Sequence, residues 1–294
     1  MRKGRFAALL LVLALLLCGA APAEAAAGES LPVWIDGLLS ARGFLLDGQC
    51  LVPVRALSAA CAQKLAWSED KDGLTLQVGA LIARGMTGKQ YLMAEGRYVW
   101  MPGGWLVRGG ELYLPLPTIE KLFGVRAELS ETGCAFETEG AELLQGGEDY
   151  YAFNFPADDY YWLTHIIHAE AGVEPIEGKI GVGNVVMNRI RSELFPNTVY
   201  EVIYDTAHAI QFEPVAVGAI HEDPDPESVA AACLVLEGAN TVGESLYFVN
   251  PSAEVAWFDV MLQLETSIGR HNFYSKKDGE NGSADTGAGT EPGL

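Results

Sequence analysis

Hydrophobic and polar positions follow several rhythms along this chain, and the rhythm changes near residue 150. Met1-Arg2-Lys3-Gly4-Arg5 places three positive charges ahead of an unbroken apolar run from Phe6 to about Cys18. That run is too short to cross a bilayer. Small residues follow it in Ala23-Glu24-Ala25 and Ala25-Ala26-Ala27, so residues 1–26 are predicted to be a signal peptide removed on export. A lipid anchor on Cys18 is the competing reading, but the bulky Leu17 stands where a small residue is wanted. No later stretch is apolar for long enough to be a transmembrane helix.

From residue 31 to 140 the pattern repeats itself. Asp47-Gly48-Gln49-Cys50-Leu51-Val52-Pro53-Val54-Arg55-Ala56-Leu57 returns as Gly109-Gly110-Glu111-Leu112-Tyr113-Leu114-Pro115-Leu116-Pro117-Thr118-Ile119. The register continues, with Lys64, Trp67, Ser68 and Glu69 matching Arg126, Leu129, Ser130 and Glu131. Each copy predicts a glycine turn, a short strand ending in proline, a helix of about ten residues and a further strand such as Leu74-Thr75-Leu76-Gln77-Val78. Residues 141–157 are polar and lack helical periodicity, which predicts a linker. Residues 277–294 are low in apolar side chains and predict a disordered tail.

Helical periodicity begins after the linker. Asp158 or Asp159 can cap a helix from Tyr160 to about Ala171, with Gly172 as its stop. At 100° per residue Trp162, Leu163, Ile166 and Ile167 make one apolar arc, and Glu170 falls inside it. Burial disfavours the ionised form of a carboxyl group, and the negative end of a helix dipole acts in the same direction. A carboxyl group placed so is suited to give a proton to a glycosidic oxygen; an ion-paired or hydrogen-bonded core glutamate fits the same pattern. A second helix follows over 174–190, in which Gly178, Gly181 and Val182 share a face and predict close packing on the preceding helix. Asn184 and Asn188, one turn apart, either line a cleft or bind neighbouring backbone.

Charge and composition narrow the partners. The formal net charge is −20, and loss of the signal peptide makes the chain more acidic still. Such a chain is not drawn to nucleic acid or anionic lipid by electrostatics. Cys50, Cys61, Cys134 and Cys233 remain after export, spaced neither as a zinc ribbon nor as a dense disulfide framework. Cys50 and Cys61 either form a bridge or stay as thiols. All five histidines lie at or beyond residue 165, so a histidine-rich copper site in the N-terminal half is excluded by composition.

Two resemblances organise these pieces. The repeat, with its Asp47-Gly48, Val52-Pro53, Arg55, Leu57 and Trp67-Ser68, resembles the N-terminal domain first named in copper amine oxidases, commonly an accessory module of exported bacterial proteins. The second copy departs from it at Pro117, where the first has Arg55. Downstream, His168-Ala169-Glu170-Ala171-Gly172 with Glu174-Pro175 and Gly178, then Val182-Gly183-Asn184-Val185-Val186 with Asn188-Arg189, and Phe195-Pro196-Asn197-Thr198-Val199, resemble the SleB/CwlJ family of spore-cortex and cell-wall hydrolases. Val202-Ile203-Tyr204, Gln211-Phe212-Glu213-Pro214-Val215, Leu246-Tyr247-Phe248-Val249-Asn250-Pro251 and Ile268-Gly269-Arg270-His271 with Phe273 agree in order. This likeness covers about residues 158–276 and departs from the common pattern at Val173.

The resemblance implies an α+β chain whose duplicated α+β module precedes a mainly helical, lysozyme-like domain. It implies a cofactor-independent enzyme acting outside the cytoplasm, in the cell wall or spore, on the β-1,4 bond between N-acetylmuramic acid and N-acetylglucosamine. The glutamate of its Ala-Glu-Ala element is Glu170 here. In lytic transglycosylases of this kind one glutamate protonates the leaving oxygen and then takes the proton from the sugar's own 6-hydroxyl. Glu174 is assigned a structural part, such as capping the next helix. Gln211, Phe212, Tyr247 and Asn250 are candidate sugar contacts, since pyranose rings pack on flat apolar surfaces and bond to amides. The N-terminal module is free to dock wall or a protein partner. Two rivals stand beside this reading: a wall-binding or spore-coat protein with an inactive domain, and a metal-dependent hydrolase built on His165 and His168, whose rings fall across the helix from Glu170 and are otherwise exposed or supporting groups.

Overall fold

The computed structural model describes residues 28–146, 155–206, 212, 215, 217–251 and 260–277. The predicted signal peptide, the middle of the predicted linker, Gln211 and nearly all of the predicted tail lie outside the described residues.

The N-terminal half runs β1 (Glu29–Ile35), β2 (Leu38–Leu46), β3 (Gln49–Pro53), α1 (Val54–Ala60), β4 (Leu65–Glu69), β5 (Gly73–Val78), β6 (Leu81–Met86), β7 (Tyr91–Ala94), β8 (Arg97–Trp100), β9 (Leu106–Arg108), β10 (Glu111–Pro115), α2 (Leu116–Phe123), β11 (Arg126–Ser130) and β12 (Gly133–Glu137). In both copies of the repeat a proline closes the strand and opens the helix, Pro53 at φ −69° and Pro115 at φ −58°. Proline suits that junction because its fixed φ matches the helix start, where its missing N–H costs nothing. The helices hold seven and eight residues, shorter than the ten expected.

The duplication is visible in the pairing of strands. Antiparallel β3 and β10 set Val52 opposite Leu114, the equivalent residues of the two copies, so a pseudo-twofold axis passes between them. Beyond their helices the copies diverge. The β4–β5 hairpin is extended by β6, β7 and β8 into a five-stranded antiparallel sheet, whereas β11–β12 joins the seven-stranded sheet through parallel pairing of β12 with β1. Leu57, Ile119, Leu122 and Phe123 from the helices fill one core with Val52, Leu76, Leu114 and Phe136 from both sheets. Arg55 pairs with Glu111 of the second copy at 3.0 Å, a contact that Pro117 cannot reciprocate.

All four described cysteines are free. Cys50 and Cys134 are hydrogen-bonded to each other within this core, which lowers the pKa of Cys50 and raises that of Cys134. Cys50 therefore faces Cys134, not Cys61. The start of the predicted linker is laid onto the module: Leu144 N–H donates to the Leu122 carbonyl at 3.0 Å, and Ala141, Leu143 and Leu144 pack on the core.

The C-terminal half contains α3 (Ala157–Ala171), α4 (Ile176–Arg191), α5 (Val199–Ile203), a 3-10 turn (Ala219–His221) and α6 (Pro226–Leu236), then β13 (Tyr247–Val249), β14 (Leu262–Ile268) and β15 (His271–Lys276) in a three-stranded antiparallel sheet, order β13-β15-β14. α3 begins earlier than predicted. Pro156 is its N-cap, and Asp158 and Asp159 occupy the first turn, where the helix dipole favours negative charge. Gly172 ends it in right-handed geometry, and its lack of a side chain matters because a Cβ would lie 2.7 Å from the His168 carbonyl oxygen.

α4 is the buried axis of this half. Its glycines make close packing possible, but not against the element expected. A Cβ on Gly181 would meet Phe273 at 2.7 Å and Val242 at 2.9 Å, and one on Gly178 would approach Glu174 and Ile268. Gly183, opposite Ile167, is the one that faces α3. α4 is enclosed on several sides, so each glycine faces a different neighbour. Among the described residues no helix is long and apolar enough to cross a membrane.

The halves meet along β7 and β8. Tyr91 is part of the C-terminal core, Tyr98 and Trp100 pack on it, and Trp100 closes over Gly238. Tyr91 Oη donates to Glu177 at 2.7 Å and Tyr98 Oη to Glu227 at 3.0 Å. Lys89 joins Glu177 at 2.5 Å, and Lys121 bonds Glu237. Burial opposes ionisation of Glu177, but the bonds from Lys89 and Tyr91 outweigh it and hold its pKa below the usual value. Hydroxyls and ammonium groups on one side thus meet carboxylates on the other.

Candidate active site

Glu170 sits in the last turn of α3, half-buried, at the margin of the arc formed by the buried Leu163, Ile166 and Ile167. The sequence placed it on the buried face; the structure places it at that face's edge.

α4 brings Arg189 to this region. Its side chain extends the buried line of Val182, Val185 and Val186 and is only 3% exposed. Nε donates to the Leu246 carbonyl at 2.8 Å, and the guanidinium lies 4.8 Å from the Phe195 ring, 5.3 Å from Phe212 and 5.7 Å from Tyr247. Nη1 is buried with no hydrogen-bond partner among the described residues. Burial pulls the Arg189 pKa down to about 10, against opposing attraction from Tyr247, Asp205 and Glu170. A desolvated cation, two carboxylates and a phenol therefore share one neighbourhood.

The other candidates divide. Tyr247 on β13 belongs to the group around Arg189, and Asn250 is exposed just beyond that strand. Phe212 is 1% exposed, so its ring faces Arg189 and the core and has no free face for a sugar. Gln211 lies outside the described residues. Asn184 and Asn188 bind backbone, at Ala239, Thr241, Gly243 and Ser245, and so tie α4 to the segment leading into β13. Glu174, 5% exposed, accepts from the Arg270 backbone N–H at 2.8 Å and fixes the β14–β15 turn, while the cap position of α4 is held by Pro175.

Sequence reasoning did not single out Arg189 as a buried cation in this region, nor Asp205 as a carboxylate whose field acts on it. A signal existed for Arg189, which lies seven, four and three residues after Val182, Val185 and Val186 and so on their stripe. Of the two expectations for the histidines, exposed or supporting, the structure shows the second: His165 is buried with Nδ1 at 2.8 Å from the Tyr161 carbonyl, and His168 Nδ1 stands 2.8 Å from Asp225. Among the described residues no cluster of His, Cys, Asp and Glu could hold a metal ion.

A helical domain with a carboxyl group at a helix end, a buried cation beside it and a strand-rich module packed on its flank has the parts of an acid–base site in a two-domain protein. Residues 173–274 match the family model described as Cell Wall Hydrolase, and residues 38–134 that of the Copper amine oxidase N-terminal domain. The chain thus carries a cell wall hydrolase domain behind a copper amine oxidase N-terminal-like domain. The first match begins just after Glu170.

Curated relatives include a spore cortex-lytic enzyme of Bacillus subtilis (strain 168), 33% identical over 131 residues, 43% of this chain and 42% of that protein. Another, from Oceanobacillus iheyensis, is 32% identical over 120 residues, 40% of this chain and 42% of that protein. The alignments thus span less than half the length of these relatives. The crystal structure of the catalytic domain of the Bacillus cereus SleB protein is 29% identical, with a TM-score of 0.38 over 44% of this chain and 99% of that one. The catalytic domain of the germination-specific lytic transglycosylase SleB of Bacillus anthracis is 28% identical, with a TM-score of 0.38 over 42% of this chain and 98% of that one.

Proposed function

We propose that this protein cuts the glycan strands of peptidoglycan outside the cytoplasm, in spore cortex or cell wall, by a lytic transglycosylase reaction in which Glu170 is the acid and then the base. The observation that carries the reading is Glu170 itself, half-buried in the last turn of α3 at the edge of the apolar arc, in a region that also holds the buried Arg189. The named relatives support the substrate class.

In the first half-reaction the Glu170 carboxyl group gives its proton to the glycosidic oxygen as the C1–O bond breaks. The carboxylate left behind has lost part of its hydration. Arg189 stabilises that anion from a fixed position, and because its charge is already desolvated it needs no reorganisation to do so. In the second half-reaction the carboxylate takes the proton of the sugar's own 6-hydroxyl, whose oxygen closes on C1 to leave a 1,6-anhydro end. No second carboxylate is needed in this scheme. Tyr247 and Asn250 are the candidate sugar contacts that stand closest to solvent, and Gln211 keeps that assignment as a proposal.

Clarification of a suspension of purified peptidoglycan tests the reading. Wild-type protein is expected to release soluble fragments and Glu170→Gln to release none while melting at the same temperature. Equal clarification by both would remove Glu170 from the chemistry; no clarification by either would favour a wall-binding protein.

A further inference from the structure

We infer that His168, Lys179, Asp225 and Glu227, completed by Tyr98 of the N-terminal module, form a positioning network for Glu170, so that the module is a built-in part of the active site. This rests on the glycosidase reading above.

The network is continuous. Tyr98 Oη donates to Glu227 Oε1 at 3.0 Å, and Glu227 Oε2 lies 3.1 Å from Lys179 Nζ. Lys179 Nζ also donates to Asp225 Oδ1 at 3.0 Å, and Asp225 Oδ2 lies 2.8 Å from His168 Nδ1. Asp225 is in addition the N-cap of α6, accepting from the backbone of Glu227 and Ser228 and from the Ser228 hydroxyl. Burial works against its charge, yet the bonds from Ser228, His168 and Lys179 together hold its carboxyl far below the ordinary range. One carboxylate therefore joins the last turn of α3, the first turn of α4, the start of α6 and, through Glu227, strand β8.

Stability alone does not account for this arrangement. Lys179 is 2% exposed, and burying an ammonium group costs so much that an apolar residue of similar size is often as good or better for stability. What an apolar residue cannot do is fix the rotation of three helices by directed bonds. His168 precedes Glu170 by two residues, so the two side chains leave α3 roughly 160° apart. Holding His168 against α6 therefore aims Glu170 to the opposite side of the helix. Reacting groups lose rate steeply when displaced by an ångström. The lock is closed from outside the domain, by a tyrosine whose hydroxyl burial and Glu227 push up to about 12.

The test uses the full chain acting on soluble glycan strands from peptidoglycan, with Lys179→Met, Lys179→Arg, Tyr98→Phe and the double variant Tyr98→Phe/Lys179→Met. Lys179→Met should lower kcat on the order of tenfold with KM within about twofold, and Lys179→Arg should restore part of the loss. Tyr98→Phe, which removes one oxygen at a partly exposed site and leaves the core intact, should lower kcat about two- to threefold at constant KM. Its effect should shrink in the Lys179→Met background, because the side-chain link from Glu227 through Lys179 to Asp225 is cut and only the backbone bond from Glu227 to Asp225 remains. Should Lys179→Met not fold, Tyr98→Phe and Lys179→Arg decide. Unchanged kcat in Tyr98→Phe, or additive losses in the double variant, would overturn the network while leaving the glycosidase reading intact. Absence of product from the wild type would overturn that reading and this inference with it.

Discussion

Replacing Arg189 by methionine separates what this residue does for the fold from what it does for the chemistry. The side chain is 3% exposed and anchored by Nε to the Leu246 carbonyl at 2.8 Å. Losing that charge-assisted bond costs about 1.5–3 kcal/mol, and losing the contacts with Phe195, Phe212 and Tyr247 costs about 1–2 kcal/mol more. Against this, the depression of its pKa from 12.5 to about 10 corresponds to about 3 kcal/mol of disfavour for the charged form, which methionine removes. The net change in stability is therefore between about zero and 2 kcal/mol, a shift of a few degrees in melting temperature for a domain of this size. The rate should respond differently, because the Glu170 carboxylate loses its fixed counter-charge: kcat should fall on the order of 100-fold. Calorimetry and initial rates on soluble glycan strands measure the two effects separately. A folded Arg189→Met with wild-type kcat would refute the assignment of Arg189 to the site.

Two further predictions probe the packing beneath the site. Gly181→Ala drives a methyl group to within 2.7 Å of the buried Phe273 ring and 2.9 Å of Val242. Overpacking of about 1–3 kcal/mol should exceed the helix-propensity gain of about 1 kcal/mol, so urea unfolding should show net destabilisation. Gly178→Ala, whose nearest neighbour would be 3.2 Å away, should lose less, and a Gly181→Ala protein as stable as wild type would contradict the packing described. Burial holds His271 below its ordinary pKa of 6.5, against a smaller opposing pull from Glu174. A depressed base stabilises the fold while neutral, so its contribution is whole above pH 6.5 and declines as pH falls towards the folded-state pKa. The slope is at most about 1.4 kcal/mol per pH unit. His271→Gln should flatten stability against pH in that window, and an unchanged slope would show that the imidazole titrates alike in folded and unfolded chains.

The sequence was most readable where local chemistry and tertiary structure agree. Pro53 and Pro115 end strands and begin helices wherever they are packed, so the repeat and its two helices could be read directly. The pairing of β12 with β1, and the diversion of β4–β5 into a second sheet, depend on contacts far apart in sequence and left no local trace. β13, β14 and β15 are short or carry mixed patterns, which hid the small sheet of the C-terminal half. The glycines of α4 announced close approach but not what approaches. Around the candidate site, Glu170 drew attention because an acidic residue interrupts an apolar arc, and the structure sets it at the edge of that arc. Arg189 breaks a similar stripe yet was passed over, since a basic residue near a helix C-terminus usually serves the dipole in solvent. Phe212 was misjudged for the opposite reason: a flat ring suggests a sugar platform, and only burial shows that it belongs to the core. Asp225 gave no signal, because its role is set by groups that arrive from α3 and α4.

The most direct measurement is mass spectrometry of the ends left on glycan fragments when purified peptidoglycan is treated with wild-type protein and with Glu170→Gln. If Glu170 serves as both acid and base, wild-type fragments carry 1,6-anhydro-muramic ends, one water lighter than reducing ends, and the variant yields neither. Reducing ends from the wild type would mean that water, not the sugar's 6-hydroxyl, closes the reaction. Anhydro ends from Glu170→Gln in wild-type amount would place the proton transfers on another residue and contradict the account.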